Sequence, residues 1–127
     1  MQRIQTDQAP AALGPYSQAI ADGDWLFLSG QIPIDPKTGK LVDGDIEDQT
    51  RQVLCNIRSV LEAAGASLQD VRKATLFVTD LGDFVRINQV YESFLGSVAP
   101  ARSTVQVAAL PLGAAIEIEV IARRPSV

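Results

Sequence analysis

Apolar residues recur at steps of three and four along two stretches of the chain, a period that predicts two amphipathic helices. The first predicted helix begins at an Asp45 cap and stops at Gly65. Its apolar stripe consists of Ile46, Thr50, Val53, Leu54, Ile57, Val60, Leu61 and Ala64. The second predicted helix runs from Phe84 to Leu95 and stops at Gly96, with a stripe made of Phe84, Ile87, Val90 or Tyr91, and Phe94. Each helix therefore offers one face to a core.

The other hydrophobic segments alternate with a period of two, which predicts β-strands. The predicted strands are 17–21, 25–29, 71–79, a run through Val105 and Val107, and 116–122, and a further short strand is expected at Ile4. The turn at 22–24 joins the first two long strands into a hairpin. In the last strand, Glu117 and Glu119 share one face of an otherwise apolar segment. We expect at least one of the two carboxylates to be exposed to solvent, but so apolar a strand is expected to be central, which would place a carboxylate in a sheltered setting.

The order of the elements predicts a single α+β domain over residues 1–127, with a mixed sheet that carries both helices on one face. The opposite face would then be left bare, including Trp25 and Phe27 of the second strand. The chain has no further helix to cover this face. The sequence therefore predicts that a second copy of the chain covers it.

Composition narrows the function without defining it. Of the 127 residues, 46% are apolar and 20% are charged, as in an ordinary globular protein. The net charge of -4 and the scattered basic residues argue against a nucleic-acid partner, which needs a clustered basic face. The first ten residues lack the apolar core of an export signal, and the weakly polar run at 107–116 is too short to cross a bilayer. We expect a cytoplasmic protein with no membrane partner.

The chain has no histidine and a single cysteine, Cys55. The commonest zinc ligand and the commonest general base are therefore both missing, and we expect no metal site. Cys55 is expected to fill space in the core. Any catalysis must then use carboxylates, hydroxyls, backbone amides and arginine.

Arg102 is the first candidate for such chemistry, because it follows Pro100 and lies where a loop enters a strand. Its planar, permanently charged fork suits a carboxylate, although an isolated arginine at a strand edge is more often an ordinary surface residue. Ser29 and Gly30 end a strand, where glycine lets a ligand approach the backbone. Residue type alone leaves open whether Tyr16 packs in the core or faces a cleft, and whether Asn88 is a surface amide.

Five short motifs together resemble the reactive-intermediate deaminase (RidA, YjgF-type) family. They are GPYSQA at 14–19, SGQIP at 29–33, FVRINQVY at 84–91, PARS at 100–103 and IEIE at 116–119. The resemblance spans essentially the whole chain. It implies a chorismate-mutase-like α+β fold that forms a homotrimer, with the sheets around a central barrel and ligand clefts at the subunit interfaces.

The resemblance also implies an activity, the cofactor-independent hydrolysis of 2-iminobutanoate and 2-iminopropanoate to 2-oxo acids and ammonia. It implies Arg102 as the carboxylate clamp and Glu117 as the residue that holds or activates water. The implied substrate-binding residues are Tyr16, Ser29, Gly30, Asn88, Arg102 and Thr104. Many bacterial relatives have cysteine where this chain has Thr104, and close relatives often have lysine where it has Leu112.

Two further hypotheses remain open. The first is that the same trimer binds small carboxylates without catalysing a reaction. Thr104 and the presence of Leu112 in place of lysine motivate this hypothesis. An endoribonuclease role, attached to some relatives, fits poorly with a chain that has no histidine and no basic patch.

Overall fold

The computed structural model describes residues 1–126, and the first of its two main helices begins where the sequence supplies a cap. Helix α1 spans Ile46–Ala63, and Asp45 accepts a hydrogen bond from the Asp48 backbone while Asp48 caps Asp45 in return. Gly65, with φ of +78°, lies just beyond the C-terminal end, in a backbone conformation that favours glycine. Helix α2 spans Phe84–Leu95 and ends at Gly96. Both helices are confirmed at the predicted places.

Residues 1–126 also form eight β-strands. They are β1 (Gln2–Ile4), β2 (Ala19–Asp22), β3 (Trp25–Leu28), β4 (Ile34–Asp35), β5 (Lys40–Leu41), β6 (Val71–Val78), β7 (Ala101–Gln106) and β8 (Ile116–Arg123). Six of them form one sheet in the order β1-β2-β3-β8-β6-β7, and β4 pairs with β5 in a separate hairpin. Every pairing in the large sheet is antiparallel except β6 with β7, which α2 connects as a crossover. The mixed α+β fold is confirmed, with β8 in the interior of the sheet.

The two faces of the sheet have different environments. On the helix face, Leu26 of β3, Leu76 of β6 and Ile118 of β8 are fully buried and join the apolar stripes of α1 and α2 in one core. The opposite face carries Trp25 and Phe27, and 46% of the Phe27 surface is exposed within the chain. We call this second side the open face. Its large exposed aromatic side chains are those expected of a surface that another chain covers.

The expectation for Cys55 is wrong. Its side chain is only half-buried on the flank of α1, where its sulfur accepts a hydrogen bond from Arg58 at 3.6 Å, and it is not a member of the core. The helical period explains the difference, because Cys55 lies between the core residues Leu54 and Ile57 but outside the stripe that they define.

Candidate functional site

Arg102 is the second residue of β7 and projects from the helix face of the sheet. Its register partner on β6 is Ala74, which is fully buried under the helices. The guanidinium reaches α2, where its Nη1 donates to Asn88 Oδ1 at 2.8 Å. Its Cζ lies 5.4 Å from the ring centre of Phe84 and 4.9 Å from that of Tyr91. The arginine is therefore held by one helix from three sides.

No carboxylate of residues 1–126 neutralises this charge. The ion pairs in the described chain involve Arg51 and Arg86, and none involves Arg102. A cleft of about 390 Å³ opens beside the guanidinium, between the C-terminal half of α2 and the start of β7. We call this the arginine cleft. It presents a fixed cation with unused hydrogen-bond donors to whatever enters.

Two hydroxyl groups near the arginine cleft have no hydrogen-bond partner within residues 1–126: Tyr91 Oη and Thr104 Oγ1, both covered from solvent. Burial raises the pKa of the Tyr91 phenol, and the nearby Arg102 charge partly opposes that shift. Thr104 lies two residues after Arg102 on the same face of β7. Its side chain therefore flanks the arginine without contributing an accessible hydroxyl in the single chain.

Glu117 lies in a different cleft, formed where the segment after β3 crosses β8. Gln31 and Ile118 exchange two backbone hydrogen bonds, of 2.9 and 3.1 Å, and this bridge lays the segment 29–31 against the strand. A Cβ atom on Gly30 would collide with the Glu117 carboxylate, whose Cδ would be 2.8 Å away. Glycine at position 30 therefore leaves room for that carboxylate in its observed position, and a larger residue would displace it.

We call this second site the glutamate cleft, with a volume of about 320 Å³. Its lining includes Tyr16, Ser29, Gly30 and Glu117, with apolar walls from Ile32 and Pro111 among others. Burial raises the pKa of Glu117, and the neighbouring Glu119 charge raises it further. A carboxyl with a raised pKa is a better proton acceptor once ionised.

Tyr16 lines the glutamate cleft and is not packed in the core. It is 55% exposed and follows the loop of Pro10 to Pro15, so the core alternative for this residue is wrong. Buried Gln18 fastens that loop, because it accepts from the Thr6 amide at 2.7 Å and donates to the Pro10 carbonyl at 2.8 Å. Ser29 Oγ donates to the Ser17 carbonyl at 2.6 Å, which ties the loop to the end of β3.

The candidate residues thus separate into two groups. Arg102 and Asn88 line the arginine cleft, and Tyr16, Ser29, Gly30 and Glu117 line the glutamate cleft. Thr104 lines neither cleft and lies beside Arg102 on the same face of β7. Arg102 is paired with Ala74, whereas Glu117 is paired with Phe77, three residues further along β6. An odd separation along a strand puts side chains on opposite faces, so the two charged groups point away from each other. Their backbones are about 14 Å apart from strand geometry.

Phe84 and Tyr91 were not among the expected site residues, since the helical pattern assigned both to the apolar stripe of α2. A signal for them existed in the spacing. Positions 84, 88 and 91 are four and three residues apart and share one face of a helix. The sequence alone does not indicate that this helix face contacts the N-terminal end of β7.

Two other properties bear on the chemistry. Residues 1–126 contain no group of three histidine, cysteine or acidic side chains close enough to hold a metal ion. Neither helix of the described chain has both the length and the apolar character that a membrane crossing needs.

The fold and the two clefts define a chorismate-mutase-like α+β protein with a desolvated glutamate and with an arginine that has no ion-pair partner within residues 1–126. The chain belongs to the endoribonuclease L-PSP family, which includes the reactive-intermediate deaminases; the family profile matches residues 6–124. The resemblance derived from the five motifs is thereby confirmed.

Two relatives illustrate the family. A RutC family protein of Pyrococcus horikoshii is 57% identical over 119 residues, which cover 94% of each chain. The bovine protein named 2-iminobutanoate/2-iminopropanoate deaminase is 46% identical over 119 residues, covering 94% of this chain and 87% of the bovine one.

Solved structures agree closely. A crystal structure of a Thermotoga maritima protein matches with a TM-score of 0.97 and 52% identity over 99% of both chains. The crystal structure of Escherichia coli TdcF with bound serine matches with a TM-score of 0.93 and 45% identity, covering 98% of this chain and all of that one. The family thus includes a protein that binds a small molecule with an amino-acid carboxylate.

Proposed function

We propose that the protein is an imine deaminase, a hydrolase that converts 2-iminobutanoate and 2-iminopropanoate to the 2-oxo acids and ammonia. The observation that carries this proposal is the condition of Arg102, a fixed guanidinium that no carboxylate within residues 1–126 neutralises. Membership of the family and the name of the bovine relative support the reaction type.

Substrate binding begins with the carboxylate. Arg102 grips it with the edge of the guanidinium that Asn88 leaves free. The Gly30 amide has no acceptor among the described residues and supplies a further donor. Tyr16 and the backbone at Ser29 line the other side of the bound acid, and Thr104 borders it beside Arg102.

Glu117 carries the proton transfers. Its carboxylate removes a proton from a water molecule as the oxygen attacks the carbon of the protonated C=N bond. The nitrogen of the resulting carbinolamine takes up that proton, and Glu117 accepts the hydroxyl proton as the C–N bond breaks. The departing ammonia then takes that second proton from Glu117 and leaves as ammonium. One water is consumed, a C=O bond replaces the C=N bond, and no oxidation occurs. The chemistry needs neither metal nor cofactor.

The opposite orientations of Arg102 and Glu117 require two chains for each site. We propose a homotrimer in which the open faces pack around a central barrel, so that the arginine cleft of one protomer meets the glutamate cleft of its neighbour. The exposed Trp25, Phe27 and Val105 of the open face are consistent with such burial. In this arrangement the whole chain acts as one domain, and a cytoplasmic location remains our prediction.

RNA is a poor substrate for this site. Its two clefts hold one arginine, and the molecule as a whole carries a net charge of -4. A ribonuclease would need several cations along a phosphate backbone.

The assay that tests the proposal couples the purified protein to a pyridoxal-phosphate-dependent threonine dehydratase. The protein should accelerate release of 2-oxobutanoate, because the dehydratase product is an unstable enamine and imine. Arg58→Ala is the matched control for Arg102→Ala. Arg58 also stacks on an aromatic ring of α2, that of Phe94, but it lies outside both clefts. An unchanged release rate with the wild-type protein would refute the deaminase. If 2-oxobutanoate still binds in that case, the protein is the non-catalytic carboxylate binder.

A further inference from the structure

We propose that Phe84 and Tyr91 form an aromatic clamp whose task is to position the Arg102 guanidinium for the substrate carboxylate. The inference rests on the proposed function and deepens it. Neither ring is a catalytic residue, because each acts through the arginine. Both are therefore positioning residues.

The first argument is geometric. The guanidinium carbon lies 5.4 Å from the Phe84 ring centre and 4.9 Å from that of Tyr91, within the range of a cation–π contact on two rings at once. Asn88 lies between them in sequence and receives one N–H at 2.8 Å. Three side chains of a single helix therefore restrain the position of one charged group.

The second argument is electrostatic. Proteins commonly fix an arginine by an ion pair, and Arg86 of this chain is held in that way by Asp45 and Glu47. An ion pair uses the donor edge of the guanidinium and cancels its charge. A ring face instead attracts the cation while leaving the N–H edge unoccupied. The clamp therefore holds Arg102 in place and keeps its charge and fork available for a ligand.

The third argument concerns what Tyr91 contributes. Its hydroxyl is buried with no hydrogen-bond partner in the described chain, and only 7% of the residue is exposed. A tyrosine whose hydroxyl bonds to nothing acts through its ring. The clamp hypothesis thus predicts that phenylalanine can take the place of Tyr91 without loss of function, whereas an aliphatic residue cannot.

Loss of a ring should weaken substrate binding more than turnover. A loosened Arg102 must be ordered when the carboxylate arrives, which is the cost of immobilising one long side chain. We expect KM to rise about 3- to 10-fold in Phe84→Leu and in Tyr91→Leu, with little change in kcat. Tyr91→Phe should restore the wild-type KM.

Phe94→Leu is a matched control. Phe94 lies on the same helix and its ring stacks on another arginine, Arg58, at 5.5 Å. The same substitution therefore removes a ring of the same kind outside the site. Phe94→Leu should leave KM unchanged, and thermal unfolding of each variant reports any general loss of stability.

A second readout does not depend on imine hydrolysis. The ¹⁵N relaxation of the Arg102 Nε–H group measures the order of the guanidinium on the fast timescale. We expect an order parameter near that of rigid backbone, about 0.85, in the wild type and a value below about 0.6 in Phe84→Leu. Phe84 is 38% exposed, so this variant is the one that best preserves the fold.

The outcomes separate the two proposals. If Phe84→Leu and Tyr91→Leu keep both the wild-type KM and the wild-type order parameter, or if Phe94→Leu shifts them equally, the clamp is overturned while the deaminase stands. If the wild type hydrolyses no imine, the deaminase is overturned, and the Arg102 order parameter alone decides whether the rings hold the guanidinium.

Discussion

The charged side chains of the arginine cleft and of the glutamate cleft are positioned in opposite ways. Arg102 is held by contacts that α2 adds, namely two ring faces and one amide oxygen. The Glu117 carboxylate occupies space that a Cβ atom at position 30 would fill, and Gly30 leaves that space free. No carboxylate within residues 1–126 compensates the charge of the arginine. The glutamate is held in a desolvated setting that raises its pKa.

In the proposed site, which combines the two clefts, the two sides have different structural requirements. A cation can be fixed in advance within one chain, because ring faces stabilise it without consuming its donors. A carboxylate accepts a proton more readily when its ionised form is destabilised. Burial and the nearby Glu119 charge destabilise the ionised form of Glu117 and raise its pKa. Substitutions that perturb one cleft should therefore leave the other intact.

The largest expected effect follows from removing the base. Glu117→Gln preserves the size of the side chain but removes its ability to accept a proton, and a positioned general base contributes about 100- to 10,000-fold. We expect kcat to fall by that range in the dehydratase-independent hydrolysis of a preformed imine. Binding of 2-oxobutanoate, measured by calorimetry, should change little. Equal losses of kcat and of binding would contradict separate roles for the two clefts.

Removing the Arg102 guanidinium should weaken substrate binding. Arg102→Ala deletes a bidentate charged contact, and truncating a charged partner of that kind costs about 2–5 kcal/mol, or about 30- to 4,000-fold in kcat/KM. Arg102→Lys keeps the charge and loses the fork, so it should recover only part of the loss. Full recovery with lysine would show that charge alone suffices.

Gly30→Ala tests the space that the glutamate cleft requires. The added methyl group must displace the Glu117 carboxylate, and a misplacement of about 1 Å costs up to about 100-fold in rate. We expect kcat to fall about 10- to 100-fold with little change in thermal stability. Gly82→Ala is the matched control, because its methyl group would meet the Asp80 carboxylate far from both clefts. A wild-type kcat in Gly30→Ala would contradict the steric argument.

The smallest effect concerns stability and pH. Because folding raises the pKa of Glu117, the folded state binds its proton more tightly than the unfolded state. Stability therefore falls as pH rises through the unfolded pKa toward the folded one, and ionised Glu117 destabilises the fold at neutral pH. Glu117→Gln should raise the Tm at pH 7, and the difference should vanish near pH 4.

The control is Glu62→Gln on the exposed side of α1, which should shift the Tm by the same small amount at both pH values. A Glu117→Gln difference that persists unchanged at pH 4 would contradict a desolvated carboxylate.

Local features of the fold could be predicted from the sequence. Helix α2 has the expected bounds of Phe84–Leu95, and β8 has the expected alternation of buried isoleucines with glutamates. Periodicity and caps are encoded within a few neighbouring residues, so a single sequence suffices for them. The family resemblance supplied the candidate residues of both clefts.

What the sequence could not supply was the relation between the clefts. The opposite directions of Arg102 and Glu117 follow from a parallel β6–β7 pairing and an antiparallel β6–β8 pairing with defined registers. Registers depend on contacts between segments far apart in the chain, which local patterns do not encode. For the same reason Phe84 and Tyr91 could be assigned only to an apolar stripe, although their rings stack on Arg102.

In the proposed trimer, Arg102 and Glu117 of one site come from different chains, and trimers assembled from two variants test this arrangement. Arg102→Ala and Glu117→Gln proteins, each inactive alone, are refolded together in equal amounts. Random assembly gives mixed trimers with one intact site each, so the account predicts recovery of about a quarter of the wild-type activity. If the mixture is no more active than the two variants measured separately, the two residues do not act across an interface and the account is wrong.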